Sequence, residues 1–514
     1  MEEQKLLQMD GVSTETKCAP STDYVAQTWS NIDFDKCERE VNKLQHRIAK
    51  AQKEKRYDKV RALQRLLVTS FAAKALAIKR VTSNKGKQTA GVDQIIWKNA
   101  ADKAQAIKSL KRRGYKSKPL RRVYIPKKNG KKRPLGIPTM LDRAMQALYN
   151  MSLEPITETT ADPNSYGFRK YRRPHDAIDA LHRWLCKDYS PQWVLEGDIK
   201  GCFDHISHEW LTHNVQMDKE MLHQWLKSGI IFNKQFTPTK EGTPQGGIIS
   251  PTLANATLNG MEKLVKDKFP TNRPKGYKGK WKSKKVNLVR YADDFIVTAD
   301  DKETLLEIKA MLMEFLRERG LELSEEKTLI THIDEGFDFL GFNIRKYNGK
   351  LIIKPSRKSQ EHIVDKLHQT IFKWKSAHQQ VLIEELNPII TGWTNFFRYV
   401  CSKKVFCKID HILVNQLMRW GYRRHPRKGR SWTNHKYFIT DNGRQWVFGF
   451  KYTLDGKEET ISLKRMADVT IQRHVKVVGK ANPYDSQWDE YFEKRASKAK
   501  RTRKAKGART APAA

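Results

Sequence analysis

Three aspartates at two places in the sequence have the residue type and spacing for phosphoryl-transfer chemistry. Asp198 ends a short apolar run that begins at Trp193, and Asp293 and Asp294 stand together between two further apolar stretches. Transfer of a nucleotidyl group to a hydroxyl needs little covalent help from protein, but it needs two metal ions about 4 Å apart. Magnesium prefers a few carboxylates together with substrate phosphates and water. Converging aspartates would supply these ligands.

A polar turn is the simpler interpretation of an adjacent Asp pair, because Asp is common in turns of every kind. The stretches around Asp293 and Asp294 are strongly apolar, however. Two adjacent acids at the tip of such a hairpin would repel each other without a cation. This context favours the metal-binding interpretation.

The elements that must position these acids follow from apolar patterning. The run at 193–195 is typical of a buried strand, and residues 286–290 and 295–298 predict a hairpin with the acids at its turn. A helix with apolar residues on one face follows, and Gly320 is expected at its end. Strands alternating with helices indicate an α/β sheet that extends to about residue 345.

Basic segments flank this sheet. Residues 41–67 have helical apolar spacing among many Lys and Arg, and residues 121–138 predict two strands around an Asn-Gly turn. Residues 355–425 have a helical pattern that is rich in aromatic and basic residues. Nine Lys or Arg and no acid occur between 494 and 509, which predicts a disordered basic tail.

The charge of the chain indicates its partners. Its 514 residues contain 98 Lys and Arg against 57 Asp and Glu, and the net charge of +41 opposes compaction unless polyanions bind. Nucleic acid is therefore the expected partner. The polar N-terminus and the lack of a long apolar run predict neither a secretory signal nor a membrane span. Six cysteines without a CxxC pair predict no disulfide framework and no zinc knuckle.

Three segments in a fixed order resemble the motifs of reverse transcriptases. They are Asp198 with Phe203 and Asp204, TPQGGIISP at 243–251, and YADD at 291–294. Further segments resemble bacterial group II intron reverse transcriptases and maturases. These are IPKKNGKKRPLGIPTMLDRAMQ at 125–146, SYGFR at 165–169, LSEEKT at 323–328, FDFLGF at 337–342, LNPIITGWTNFFRY at 386–399, RRHPRKGRSWTNHKYF at 423–438 and IQRHVKVVGKANPYD at 471–485.

The resemblance implies an α+β right-hand polymerase with an α/β palm. The implied domains are a basic helical N-terminal extension at 1–95, fingers and palm at 96–350, a helical thumb or maturase domain at 351–440, and a basic DNA-binding region with a disordered tail at 441–514. The HNH endonuclease domain of larger relatives is not expected, because no CxxC pair and no HH cluster follow ANPYD.

The resemblance also implies a reaction and its partners. An RNA-directed DNA polymerase would copy group II intron RNA into DNA by target-primed synthesis during retrohoming, and it would bind that RNA as a maturase to assist splicing. Its partners would be the intron RNA, the target DNA, a DNA primer and dNTPs, without a membrane, in the bacterial cytosol at the nucleoid. Asp198, Asp293 and Asp294 would be the catalytic residues and the ligands of two Mg²⁺ ions, for which Mn²⁺ can substitute.

The remaining site residues are carried over from the resemblance. Lys127 and Arg133 would grip the triphosphate, although Lys128, Lys131 and Lys132 compete for this role, and Gln245 would contact the incoming nucleotide. Phe203 would exclude a ribose 2′-hydroxyl, with core packing as the alternative for this ring. Leu340, Gly341 and Phe342 would form the primer grip, with ordinary core as their alternative.

Contacts with RNA are expected from Arg398, Arg423, Arg424 and Lys428, whereas Trp393 and Phe397 are expected in the core. The sequence leaves two other functions open. One is a maturase whose polymerase site is idle, and the other is an RNA-dependent RNA polymerase, against which the aromatic ring of Phe203 argues.

Overall fold

The protein, seen in a computed structural model, divides into two compact units. The structure describes residues 28–126, 130, 132–233, 235–244, 246–272, 283–441, 443–455 and 457–497. The first unit comprises Met1–Thr159, Leu211–Leu253 and Tyr484–Ser486, and the second comprises Thr160–Trp210, Ala254–Pro483 and Gln487–Ala514. Both units are assembled from segments that are far apart in the sequence.

Helices and strands are mixed along the described residues. The α-helices are α1 (Phe34–Lys53), α2 (Tyr57–Thr69), α3 (Phe71–Ser83), α4 (Ala100–Ser109), α5 (Met140–Thr159), α6 (Pro174–Leu185), α7 (Cys202–His205), α8 (His208–Asn214), α9 (Lys219–Leu226), α10 (Ser250–Leu258), α11 (Met261–Lys268), α12 (Lys302–Arg317), α13 (Arg357–Lys373), α14 (Gln379–Phe397), α15 (Lys403–Arg424) and α16 (Arg430–Tyr437). The strands are β1 (Leu120–Pro126), β2 (Lys132–Ile137), β3 (Trp193–Asp198), β4 (Ile230–Phe232), β5 (Gln235–Thr237), β6 (Asn287–Tyr291), β7 (Asp294–Ala299), β8 (Leu329–His332), β9 (Phe337–Phe339), β10 (Phe342–Tyr347), β11 (Lys350–Pro355), β12 (Phe438–Asp441), β13 (Arg444–Leu454) and β14 (Lys457–Ser462).

The basic N-terminal region folds into the helices that its apolar spacing predicts. Helices α1, α2 and α3 pack against one another and against α5, and Ile48 and Leu67 are fully buried between them. Asp33 and Ser70 cap α1 and α3 by accepting hydrogen bonds from backbone N–H groups three residues further on. Such caps satisfy donors that have no partner in the first helical turn.

The predicted basic hairpin is also present in the first unit. Strands β1 and β2 pair antiparallel from Arg121 opposite Ile137 to Pro126 opposite Lys132, and the sheet continues in the order β2-β1-β4-β5. Residues 127–129 and 131, at the tip of the hairpin, lie outside the described residues.

A four-stranded sheet in the second unit carries the predicted acids. Its order is β6-β7-β3-β8, and each neighbouring pair is antiparallel. Val194, Leu195 and Val297 are fully buried, as their apolar surroundings in the sequence predict. Helix α12 packs on β3 and β7 and is capped by Asp301. The predicted strand, hairpin and helix are confirmed.

The helices of the predicted thumb region belong to the same unit. A three-stranded sheet in the order β11-β10-β9 precedes them, and α13 packs against α14 and α15. Leu367, Leu386 and Leu417 fill the interior between these helices. None of the helices that the structure describes has the length and apolarity needed to cross a membrane.

Residues 438–462 form a sheet that the sequence analysis missed. Strands β12, β13 and β14 pair antiparallel in that order, where we expected only a basic region from 441 onward. Consecutive residues 447–449 of β13 are all buried, and Trp446 before them has a φ of +60°, so no clean alternation marks this strand. Residues 498–514, where we predict a disordered tail, lie outside the described residues.

Candidate active site

Two antiparallel strands bring the predicted carboxylates together. Asp198 is the last residue of β3 and stands directly opposite Asp294, the first residue of β7. Asp293 occupies the turn between β6 and β7, beside Ala292, whose φ is +59°. A positive φ is uncommon for a residue with a side chain. All three aspartates are half-buried, so their charges act on one another with limited screening by water.

Burial and mutual repulsion shift the titration of these groups. Burial, followed by the charges of Asp293 and Asp198, raises the pKa of Asp294 to about 7. The ammonium of Lys327 lies 2.8 Å from Asp198 Oδ2, and this hydrogen bond raises the pKa of Lys327. Even with this ammonium in contact, three carboxylates held close together favour the binding of a further cation.

The donor set fits a divalent cation in its chemistry. Carboxylate oxygens at a strand end and a neighbouring turn are ligands that hard divalent cations prefer. Within the part of the chain that the structure describes, no group of three or more His, Cys, Asp or Glu side chains already converges in metal-binding geometry. The aspartates therefore supply the charge and the ligand type, while their final arrangement would form on binding.

A buried arginine holds the turn between β6 and β7. Arg290 is completely buried on β6. Its guanidinium donates hydrogen bonds to the carbonyl of Ala292 at 3.2 Å and to the side-chain oxygens of Asn255 and Asn259, both at 3.0 Å. Burial lowers the pKa of Arg290 to about 10, which still leaves it charged at neutral pH. The sequence analysis missed this residue, although a charge inside an apolar strand demands buried partners.

A neighbouring segment fixes the same turn from another side. The backbone N–H of Tyr166 donates to the carbonyl of Arg290 at 2.9 Å. A Cβ added to Gly167 would lie 2.2 Å from the backbone nitrogen of Ala292. Asn255 donates to the carbonyl of Gly167 at 2.9 Å, so one asparagine contacts both supports of the turn. Only glycine fits at this position of the SYGFR segment.

The ring predicted to select the nucleotide sugar lies on the short helix α7, which follows β3. Phe203 is half-buried and packs edge to face against Phe168, with 6.1 Å between the ring centroids. Phe168 is itself 54% exposed. A ring in ordinary core would be fully enclosed, so the exposure of this pair favours a surface role over core packing.

Comparisons with known proteins identify the family. Three family profiles match: the N-terminal domain of reverse transcriptase at residues 29–110, reverse transcriptase (RNA-dependent DNA polymerase) at 125–344, and the group II intron maturase-specific domain at 360–438. Group II intron-encoded protein LtrA of Lactococcus lactis subsp. cremoris is 33% identical, over 64% of this chain and 67% of that protein. Protein YkfC of Escherichia coli K12 is 33% identical, over 60% of this chain and 88% of that protein. The chain belongs to the group II intron reverse transcriptases and maturases.

This assignment confirms the predicted family, fold class and enzyme class. The protein is an RNA-directed DNA polymerase and a splicing maturase, it binds RNA and DNA, and its catalysis uses a divalent metal ion. Among solved structures, telomerase from Candida albicans with a fragment of telomeric RNA matches at 12% identity and a TM-score of 0.35, over 62% of this chain and 65% of that chain.

Of the other predicted nucleotide contacts of this group II intron reverse transcriptase, one lies among the described residues. Arg133 is exposed on β2, whereas Lys127 and Gln245 lie outside the described residues. The loop after Gln245 is fixed by Gln146, a buried residue of α5 whose side-chain oxygen accepts from the backbone N–H of Ile248 at 2.9 Å. No feature of the sequence around Gln146 predicts this role.

The predicted primer grip of this reverse transcriptase is a tight hairpin turn. Leu340 and Gly341 connect β9 to β10 with φ values of +51° and +84°, and both are half-buried. The hydroxyl of Ser359 donates to the carbonyl of Gly341 at 2.9 Å, which ties the turn to α13. Phe342 is fully buried opposite Phe339, so the core alternative holds for this ring. Leu340 and Gly341 are therefore the solvent-accessible part of the predicted primer grip.

The predicted RNA contacts of the maturase region differ in exposure. Arg423 and Lys428 are exposed. Arg424 is half-buried, and its guanidinium donates to the carbonyls of Lys375 and Ala377 at 3.2 and 2.8 Å. Arg423 and Lys428 therefore keep their side chains available to phosphates, while Arg424 is partly used within the fold.

Arg398 is a correction to the sequence analysis. It is 7% exposed, and its guanidinium donates to the carbonyl of Thr470 at 2.8 Å. A guanidinium enclosed in this way ties the end of α14 to the chain that follows β14, so we withdraw the expectation that it contacts RNA. Phe397, next to it, is buried as expected, and Trp393 is half-buried against it.

Proposed function

We propose that this enzyme copies group II intron RNA into DNA by target-primed synthesis during retrohoming, and that it binds the same RNA to assist splicing. The reaction joins the 3′-hydroxyl of a DNA primer to the α-phosphorus of a dNTP, and pyrophosphate leaves. The observation that carries this proposal is Asp198 facing Asp294 across two strands, with Asp293 in the adjoining turn. An intact acidic site supports an active polymerase over a maturase with an idle site.

We propose two Mg²⁺ ions as the cofactor, held by Asp198 and Asp293 with the help of Asp294, and Mn²⁺ as a substitute. When bound, such ions activate the primer hydroxyl and neutralise charge on the phosphates. The protein concentrates carboxylates at one strand end and keeps Asp294 partly protonated near neutral pH until a cation favours its ionised form. Arg290 and Gly167 keep the turn in place during this change.

Residues of the basic hairpin and of the β9–β10 turn are proposed to bind the substrates. Lys127, Arg133 and Gln245 would bind the dNTP, because cations on the basic hairpin offset the charge of the triphosphate. The turn at 340–341 would guide the primer, with Phe342 as its buried support. We also propose domain boundaries of 1–95, 96–350, 351–440 and 441–514. The enzyme is proposed to act on DNA in the bacterial cytosol.

We propose that Phe203 excludes the ribose 2′-hydroxyl, and this assignment is directly testable. In Phe203→Val, we expect the preference for dNTPs over rNTPs, measured as the ratio of kcat/KM values on an RNA template, to fall at least about tenfold. Tyr189→Val is the matched control, because Tyr189 is 73% exposed and lies outside the site residues. An active Phe203→Val enzyme with the wild-type preference would contradict the assignment.

A further inference from the structure

An exposed strip of aromatic and basic side chains runs from the residues just before α16 to the start of β13. We call it the tryptophan strip, and its members are Lys428, Trp432, His435, Lys436 and Trp446. Trp432 is 42% exposed and Trp446 is 54% exposed. The other three members are exposed as well. These residues have no part in the polymerase site described above.

Two sets of contacts are found within the strip, one around each indole. The ammonium groups of Lys428 and Lys436 lie 5.4 and 5.0 Å from the centroid of the Trp432 ring. Trp432 and His435 are three positions apart on α16, where side chains share a face. The His435 ring lies 6.5 Å from that of Trp446 on β13. The two indoles are thus linked by a cationic and aromatic surface.

The two indoles lie at the margin of the core: the Trp446 ring centroid is 6.2 Å from that of buried Phe438, and the Trp432 ring centroid is 5.0 Å from that of His425. The neighbouring interior already contains Trp420, Tyr437 and Phe448, which are 4%, 6% and 2% exposed and contact one another. Exposed apolar groups that are clustered and bordered by charge mark interaction sites, whereas scattered ones do not. The cluster of Trp432 and Trp446 with three basic neighbours meets this description.

The backbone at Trp446 gives an independent sign of function. Val447 pairs with Ile439 and Arg444 pairs with Asp441, so β13 has one more residue than β12 between these pairs. Trp446 lies in this bulge with a φ of +60°, a conformation that glycine adopts with less strain. A strained residue whose large ring stays 54% exposed indicates a constraint other than packing.

We propose that the tryptophan strip binds unpaired bases of RNA, which stack on Trp432 and Trp446 while the ammonium groups meet the adjacent phosphates. Residues 411–440 contain seven Lys or Arg and no Asp or Glu, so the strip is embedded in positive charge. Aromatic faces can stack only on bases that are not already stacked in a duplex. The inference rests on the proposed binding of intron RNA and adds both the place of contact and the form of RNA recognised.

Trp446→Gly in the 514-residue chain is the decisive change. Because glycine suits a φ of +60°, the urea midpoint should not fall, whereas affinity for an RNA stem-loop with an unpaired loop should weaken about tenfold. Trp432→Ala should weaken the same binding by a similar factor. Affinity for a perfect RNA duplex should stay unchanged in both variants. Tyr189→Ala serves as the control for loss of an exposed ring elsewhere.

A fluorescent adenine analogue in the RNA loop reports stacking directly, because stacking on an indole quenches it. We expect quenching with the wild type that is lost in Trp446→Gly. Unchanged affinity and quenching in both variants, or an equal loss of duplex binding, would overturn the inference. Equal binding of a DNA stem-loop would overturn RNA as the specific partner.

A further measurement distinguishes failure of the proposed RNA stacking on the tryptophan strip from failure of the polymerase proposal. Primer extension on a short preannealed template should proceed at the wild-type rate in Trp446→Gly, because the strip lies outside the polymerase site. Lack of synthesis by the wild type would contradict the polymerase proposal and leave the stacking measurement valid.

Discussion

Replacing Arg290 tests how the catalytic turn is held. Arg290→Met keeps most of the side-chain volume but removes the donors to Ala292, Asn255 and Asn259. Each hydrogen bond from a charged donor contributes about 1.5–3 kcal/mol. The substitution also removes the unfavourable free energy of burying the Arg290 charge, which lowers the pKa of Arg290 to about 10. This gain offsets part of the loss. We expect the free energy of unfolding to fall by about 3 kcal/mol.

The effect on catalysis should exceed the effect on substrate binding. Arg290 is buried and contacts the turn rather than solvent, so KM for dNTP should change little. A shift of the turn by about 1 Å should lower kcat about 100-fold. Arg290→Lys keeps the charge but loses the planar fork, and the loss of one hydrogen bond, about 1.5 kcal/mol, should lower kcat about tenfold.

The assay is single-dNTP primer extension on an RNA template, with kcat and KM measured separately and the urea midpoint recorded for each variant. Ile78→Ala is the stability control, because it opens a cavity in the first unit at a cost of about 2–5 kcal/mol without touching the turn. A folded Arg290→Met enzyme with wild-type kcat would refute the positioning role, as would an equal loss of kcat in Ile78→Ala.

Two further substitutions test the surroundings of the site. Burial raises the pKa of Glu196 from 4.5 to about 7, so between these values the folded state binds more protons and stability falls as pH rises. Glu196→Gln should remove this slope, so the change in the free energy of unfolding between about pH 5 and about pH 8 should differ between the two proteins by about 1 kcal/mol after allowance for partial exposure. Urea midpoints measured at these two pH values test this, and the same pH dependence in both proteins would contradict it. Gly167→Ala should destabilise the protein by about 1–3 kcal/mol and slow synthesis, because its Cβ would meet the backbone of Ala292 at 2.2 Å. Gly392→Ala on α14, where a Cβ meets nothing within 4 Å, should not slow synthesis, and equal effects of the two changes would refute the clash.

The placement of the catalytic acids could be predicted because each lies at the end of an apolar run. Strand β3 ends at Asp198, and the two apolar stretches around YADD leave a hairpin turn as the simplest arrangement. The support beneath that turn could not be predicted in the same way. Arg290 looks like any strand residue until the fold brings Asn255 and Asn259 to it, and these partners lie more than thirty positions away in the sequence.

The C-terminal half shows where residue type misleads. Arg398 stands among aromatic and basic residues and resembles a surface contact, yet its partner is a carbonyl of the chain after β14. The strand β13 was missed because a bulge at Trp446 breaks the alternation that marks a strand in sequence. In the first case a contact between distant segments decides the structure, and in the second a local backbone irregularity hides the strand.

The central claim is that Asp198, Asp293 and Asp294 form the site of DNA synthesis. The most direct test is primer extension on an RNA template with dNTPs and Mg²⁺, comparing the wild type with Asp293→Ala, alongside the affinity of each for intron RNA. We predict long cDNA from the wild type alone, with equal RNA affinity for both proteins. Synthesis by Asp293→Ala, or a parallel loss of RNA binding, would contradict the claim and make the turn a structural element.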